Sequence, residues 1–554
     1  MLSRRALLAV GASVLGKAFV PATTAASANS IELHLQTRDP DGRIRQSTEA
    51  VDPRKVGVIV VDAWHYHWCR TWRNRAGSLI PRFNHSLDGA RKLGMTLIFS
   101  PTNAMRDMHE TPQRKATLAL PDRSLPPLNN AVDPYPGSLR FGMCECGLGD
   151  ECFYTNNVNN QHPDLRMADG EFIALTQQEA YNVLANRGVT HIIYTGFATN
   201  MCMWGKPTGM KYMRQFGFKC MVARDLTEAL TRYAEGSFNP TRGTLEVIEL
   251  IERDLAPSIS MEETLRLASA WEAGPPLDYV HIAPWGRLFG GPGFPVPIEI
   301  ELTCRHCPDA ELRYTLDGSE PSSSSTPYKT PIKVDETLTL KAAGFKAGTR
   351  VTRVSVAEYW KFPPVPPPPE VYISDLEPLK QLVGEVKPNS HAVRKEPRFN
   401  RSVDGNVLSN RDYKFAKGIG LQARTELTFA IRPEYKRFVA LAGVDDECMR
   451  WDSPDGLKQW PQWSQPLKGP TSYRISQLVF KVRIDDHLAA QTPALFNGNK
   501  VWGINVEIPA SARYITLVVE DVESRFTDAH GHGDWLNAGF LCGGMPDVSS
   551  ARPA

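Results

Sequence analysis

The sequence predicts a multidomain protein: an α/β domain whose parallel sheet is covered by helices on both faces, then a small β domain and a β-sandwich. Three observations point there. A length of 554 residues, at roughly 100–200 residues per domain, requires several domains. Before residue 270, apolar runs of strand length alternate with helix-like segments, the pattern of strands buried on both faces. Beyond residue 270 the runs shorten and alternate between Pro, Gly and Asp-Gly punctuation, the texture of antiparallel β domains.

Residues 1–28 read as a twin-arginine-like signal peptide. Arg4 and Arg5 precede an apolar stretch, Lys17 interrupts it, and Ala26-Ser27-Ala28 offers a small-residue cleavage site. The expectation is an exported protein, periplasmic or extracellular, with no membrane span in the mature chain. The whole chain carries 63 basic and 61 acidic residues, a formal net charge of +2, and losing the signal takes this to −1. That balance gives no electrostatic footing for nucleic acid, and 22 Phe, 16 Tyr and 12 Trp argue against intrinsic disorder.

Residues 29–270 form the α/β domain. Strands are predicted at 56–61, 95–100, 190–196 and 218–223, and helices at 82–94, 176–188 and 242–255. Ligands of such sheets sit at the carboxyl ends of the strands, where Asp62, Asn103 and the loop around Cys202 fall. Cys202 opens a helix after a strand, so the helix dipole is expected to lower its thiol pKa and backbone N–H groups to face a developing oxyanion. The alternative is a buried helix cysteine with no chemistry. Of the ten cysteines, Cys304-x-x-Cys307 and Cys144, Cys146 and Cys152 are the close clusters, read as local disulfides or loop cysteines in preference to zinc ligands.

Val60-Val61-Asp62-Ala63-Trp64, Gly196-Phe197-Ala198-Thr199-Asn200-Met201-Cys202 and Ala223-Arg224-Asp225-Leu226 together resemble the isochorismatase-like cysteine hydrolases over roughly residues 50–260. Lys206-Pro207 matches an exported subgroup in which a basic residue and Pro follow the nucleophile loop. The resemblance implies a Rossmann-like sheet and an Asp, Lys, Cys triad. In it Asp62 takes the proton from Cys202, and the thiolate attacks an amide-type carbonyl. It also implies a cis peptide at Phe197-Ala198, with Ala198 and Cys202 amides as oxyanion donors. The family's lysine lies upstream of the helix that begins near Thr176, yet there is no lysine between Lys115 and Lys206. Arg166 or His162 is therefore the expected positive or donor group. Trp64, Asn103, His162 and Asn200 are the expected substrate pocket. No metal or cofactor is expected: Ser100-Pro101-Thr102-Asn103 stands where metal-binding relatives carry Asp-x-His.

Strands at 298–303, 312–316 and 337–343 and the Asp317-Gly318 turn belong to a domain at 292–361, which resembles the chitobiase C-terminal domain and is expected to be an immunoglobulin-like spacer. Residues 362–370 read as a stiff polyproline linker. The remaining domain, 371–546, has strands at 427–431, 437–443, 478–484 and 514–521. Lys417-Gly418-Ile419-Gly420, Gly443-Val444-Asp445-Asp446-Glu447 and Asp534-Trp535 make it resemble the NPCBM carbohydrate-binding module, a galactose-binding-like sandwich. Trp451, Trp502 and Trp535 are its candidate sugar platforms, and Asp445, Asp446 and Glu447 form either a calcium site or an acidic turn. The combined expectation is a hydrolase for a C–N bond of a small-molecule amide, tethered to polysaccharide or cell-surface glycan. The alternative is an inactive glycan-binding scaffold that keeps the hydrolase fold.

Overall fold

Val56–Val61 is buried at every position and lies at the heart of an eight-stranded sheet. Its order is Ile44–Val51, Ile31–Arg38, Ser258–Ile259, Lys219–Glu228, His191–Phe197, Val56–Val61, Thr96–Ser100, Phe172–Ile173. The last six are parallel, and the first two form an antiparallel hairpin on one edge. Along the chain the parallel strands run outward from Val56–Val61 to Phe172–Ile173, then return to His191–Phe197 and run outward on the other side. The direction of winding therefore reverses between Val56–Val61 and His191–Phe197, where doubly wound sheets open a crevice at the strands' carboxyl ends. The computed structural model describes residues 30–67, 69–101, 111–129, 158–230, 240–291, 296–385, 394–449, 477–496, 498–522 and 531–543. The signal segment, Asn103, Trp451, Cys144, Cys146 and Cys152 fall outside them.

The helix predicted at 82–94 forms as Ile80–Lys92, starting earlier because Pro81 suits a first turn. Gln177–Asn186 opens with a capping box between Thr176 and Glu179, and Pro240–Asp254 follows. The strand predicted at 218–223 continues to Glu228. Among the described residues, no helix is long and apolar enough to cross a membrane.

The small β domain is not a detached spacer. His281–Ala283 pairs with Ile298–Thr303, and Arg287–Phe289 runs beside Ser355–Lys361, so residues before 292 already contribute strands to it. The Trp285 amide donates to Thr71 Oγ1 at 2.9 Å, and Asn74 Nδ2 donates to the Trp285 carbonyl at 3.2 Å. Ile282, Phe289, Ile300, Leu340 and Tyr359 are buried in one cluster with the core of the α/β domain. Cys304 and Cys307 are joined by a disulfide.

The C-terminal domain is a sandwich of two six-stranded sheets, with Phe429, Phe438, Phe480, Trp535 and Phe540 in its core. The polyproline segment packs along it. Phe362 lies against Trp502 with ring centroids 5.2 Å apart, and a side chain at Gly503 would meet the Pro364 carbonyl at 2.9 Å and the Pro366 ring at 3.0 Å. Helix Arg70–Ser78 touches the same sandwich, where Arg70 and Arg73 stand 5.3 and 4.9 Å from the Phe496 ring.

Candidate active site

Asp62 follows Val56–Val61 directly and adopts a left-handed φ of +44°, which aspartate tolerates better than most residues. Its amide donates to the Ser100 carbonyl at 3.1 Å, and its carbonyl accepts from Trp64 at 2.7 Å. The carboxylate is buried beside a lysine: Lys206 Nζ donates to Asp62 Oδ1 and to the Ser100 carbonyl, both at 2.6 Å. The side chains of Lys206 and Asp62 are 3% and 0% exposed. Removing either partner of such a buried pair would leave the other charge uncompensated.

Cys202, also buried, opens the one-turn helix Cys202–Gly205. Its thiol hydrogen-bonds to Asp62, and the Ala198 amide donates toward the sulfur. Burial first, then the negative charge of Asp62, pushes the thiol well above its ordinary value, with Lys206 opposing. The lowered thiol expected from a helix dipole is therefore corrected: one turn of helix in a desolvated site is outweighed by burial and a carboxylate. The Phe197–Ala198 peptide is cis.

The lysine beside Asp62 is Lys206, downstream of Cys202, and not a residue upstream of Thr176. One helical turn returns residue i+4 to the face of residue i, so a basic residue four positions after the cysteine was the available signal. The turn carrying it is pinned by Ser100 Oγ to Thr208 Oγ1 at 2.6 Å and by Tyr194 Oη donating to the Thr208 carbonyl at 2.9 Å. Arg166 is corrected accordingly. It is largely exposed and pairs with Asp88 on the Ile80–Lys92 helix. His162 does not replace the lysine either. Its Nδ1 accepts from the Asp164 amide at 3.3 Å, and its ring lies beside Gly77.

Trp64 forms an aromatic wall with His67, Trp72 and Phe197, at centroid separations of 5.3, 6.1 and 6.3 Å. Asn200, expected in the substrate pocket, is buried, and its amide clamps the Leu230 backbone in both directions at 3.0 Å.

In the sandwich, Trp502 and Trp535 are buried. Trp535 packs against Phe438 and Phe480, so both tryptophans fill the core and offer no face to a sugar. The acidic turn also has an internal explanation. Asp445 accepts from the amides of Ser409 and Glu447, and Asp446 from those of Arg411 and Asp412. Glu447 accepts from Ser402, Asn406 and the Asp404 amide and pairs with His532 Nδ1 at 2.6 Å. Burial alone would raise Glu447, yet the His532 and Ser402 hydrogen bonds outweigh it and hold the carboxyl down to about 2. Among the described residues, Asp404, Glu447 and His532 bring potential ligand atoms within 4.8 Å of one another.

With this geometry in place, likeness to known proteins divides the chain. Residues 369–541 match the NPCBM/NEW2 domain and residues 291–356 match the chitobiase/beta-hexosaminidase C-terminal domain. The chain carries both kinds of domain. Neither match reaches the α/β domain. A Renibacterium salmoninarum protein named as an endo-alpha-N-acetylgalactosaminidase is 25% identical over 224 residues, which is 40% of this chain but only 12% of that protein's length. A family 51 carbohydrate-binding module from Clostridium perfringens, solved with methyl-galactose, is 21% identical with a TM-score of 0.23, covering 30% of this chain and 97% of the module. An isochorismatase family protein from Burkholderia thailandensis is 14% identical with a TM-score of 0.25, covering 40% of this chain and 97% of its own.

Proposed function

We propose that the α/β domain is a Rossmann-like, isochorismatase-like cysteine hydrolase acting on a C–N bond of a small amide, in an exported protein held to glycan by its C-terminal module. The observation that carries this reading is the buried contact of Lys206 with Asp62 at 2.6 Å, with the Cys202 thiol on the same carboxylate. Cys202, Asp62 and Lys206 supply the three residue types of the triad that the sequence resemblance implies, with the lysine downstream of the cysteine and not upstream of Thr176.

In the resting site the thiol holds its proton and donates to Asp62. When a substrate carbonyl carbon reaches the sulfur, Asp62 accepts the thiol proton as the S–C bond forms and the carbonyl π electrons move to oxygen. The Cys202 amide faces that oxyanion. The C–N bond then breaks as Asp62 returns its proton to the departing amine, leaving a thioester. Water next gives a proton to Asp62 while its oxygen attacks the thioester carbon, and the departing sulfur recovers the proton. Lys206 takes no part in the proton transfers: its contacts with Asp62 Oδ1 and the Ser100 carbonyl fix the carboxylate, and it offsets charge on the thiolate. The aromatic wall of Trp64, Trp72 and Phe197 keeps water from these charges.

Ammonia release from a panel of small primary amides by the full chain tests the reading. Turnover that disappears in Cys202→Ala supports it, and no Cys202-dependent turnover across the panel overturns it. A glycan array probed with the full chain tests the tether, which fails if no polysaccharide is bound.

A further inference from the structure

The strand Lys219–Glu228 is interrupted where it approaches the active site. Tyr194 pairs with Val222, but Gly196 pairs with Thr227, so on the His191–Phe197 side Ala223, Arg224, Asp225 and Leu226 have only Thr195 opposite them. A bulge of this kind takes the end of a strand out of the regular ladder, and that end then needs other fastenings. The end in question holds the nucleophile loop. The Thr199 amide donates to the Glu228 carbonyl at 3.0 Å, Thr227 Oγ1 contacts Thr199 Oγ1 at 2.6 Å and the Gly196 carbonyl at 2.7 Å, and Leu230 is clamped by Asn200.

Within the α/β domain Thr195 Oγ1 donates to the Leu226 carbonyl at 2.6 Å, and a further fastening comes from outside that domain. Arg305 sits inside the loop closed by the Cys304–Cys307 disulfide, and its side chain is 7% exposed. One guanidinium nitrogen donates to the Arg224 carbonyl at 2.9 Å, on one side of the bulge's apex, and another to the Thr227 carbonyl at 2.8 Å on the other. The second nitrogen also lies 3.0 Å from Glu228 Oε1. The opposite carboxylate oxygen of Glu228 accepts from Arg75 at 2.8 Å and from Thr244 at 2.6 Å. A planar fork with fixed donors is suited to bridging several acceptors in this way.

We propose that Arg305, presented by the disulfide-closed loop of the chitobiase-like domain, is a positioning residue that holds the Cys202 loop in register. The inference rests on the hydrolase reading above and extends it: the β domain next to the hydrolase sheet completes its site. Simple domain adhesion does not require this contact, since the Trp285 hydrogen bonds and the shared core already join the two domains. Arg305 instead reaches backbone carbonyls on the strand Lys219–Glu228, to which the nucleophile loop is hydrogen-bonded.

The test measures the rate of Cys202 alkylation by iodoacetamide against pH, in the full chain, with the modified peptide identified by mass spectrometry and Cys220 as an internal reference. Arg305→Ala is expected to speed Cys202 labelling at least fivefold and to lower its pH midpoint, because a loosened loop admits water to the thiol, while Cys220 stays unchanged. Arg305→Lys keeps a charge beside Glu228 but has one nitrogen for three acceptors, so it should fall between Arg305→Ala and wild type. If Arg305→Ala does not fold, Arg305→Lys decides alone. A Cys202 profile that superimposes on wild type, or Cys220 labelling that rises in parallel, overturns the proposal. Asp62→Asn separates this from the parent reading: if it leaves the Cys202 midpoint in place, the hydrolase reading fails whatever Arg305 does.

Discussion

The α/β domain and the sandwich each bury a carboxylate among charged and polar partners, and the two are built to opposite ends. Asp62 contacts Lys206 and the Cys202 thiol, and the thiol is a potential nucleophile. Glu447 is held by a hydroxyl, a side-chain amide, a backbone amide and an imidazole, which saturates its oxygens and ties three chain segments together. The difference teaches that burial of a carboxylate is not itself a sign of chemistry. What matters is whether a strong nucleophile stands among its partners.

The largest effect that would break the comparison belongs to the sulfur. Cys202→Ala is expected to cut amide turnover by about 1,000-fold or more, measured as ammonia release, with the sandwich's thermal transition unmoved. Next, Lys206→Met strands a buried carboxylate and should cost the α/β domain about 3–5 kcal/mol in urea denaturation; a loss near zero would mean that Asp62 and Lys206 are not a buried pair.

In the sandwich the expected effect is one of pH. Glu447 is held at about 2 against an ordinary 4.5, so its contribution is complete above pH 4.5 and disappears as the pH falls toward 2. The expected loss across that window is about 3 kcal/mol, and Glu447→Gln should abolish that dependence. Asp534 works in the opposite sense: burial and the Asp445 charge hold it well above its ordinary value, so its cost develops as pH rises above 3.8. The smallest effect sharpens the site's boundary. Arg166→Ala removes a surface pair and should change stability by no more than about 1 kcal/mol and leave turnover intact.

The central strands were legible because strands buried on both faces must be continuously apolar, as Val56–Val61 and His191–Phe197 are. The edge hairpin was not, because nearly all of Ile44–Val51 is exposed or half-exposed and polar. Asp62 and Cys202 were legible from their positions at strand ends. Lys206 was not, since a lysine in a helix-like stretch ordinarily reads as solvated; its burial depends on Asp62 and Ser100, more than a hundred residues away in the chain. Trp502 and Trp535 illustrate the converse, where a residue type suited to sugar stacking is equally suited to filling a sandwich.

The packed polyproline segment bears on how this protein can be taken apart. A proline-rich stretch invites a cut at residue 370, yet such a cut would strip Phe362 from Trp502 and the proline ring from Gly503, opening an apolar scar on the isolated fragment. Leu288 is buried in the sandwich's own cluster, with Trp360 and Phe362 packed against it, so the scar would extend into the preceding domain. Fragments meant for binding measurements should therefore begin upstream of Leu288. Grafting the NPCBM/NEW2 domain onto another protein would mean carrying its neighbour along, as a two-domain cassette with a fixed pose.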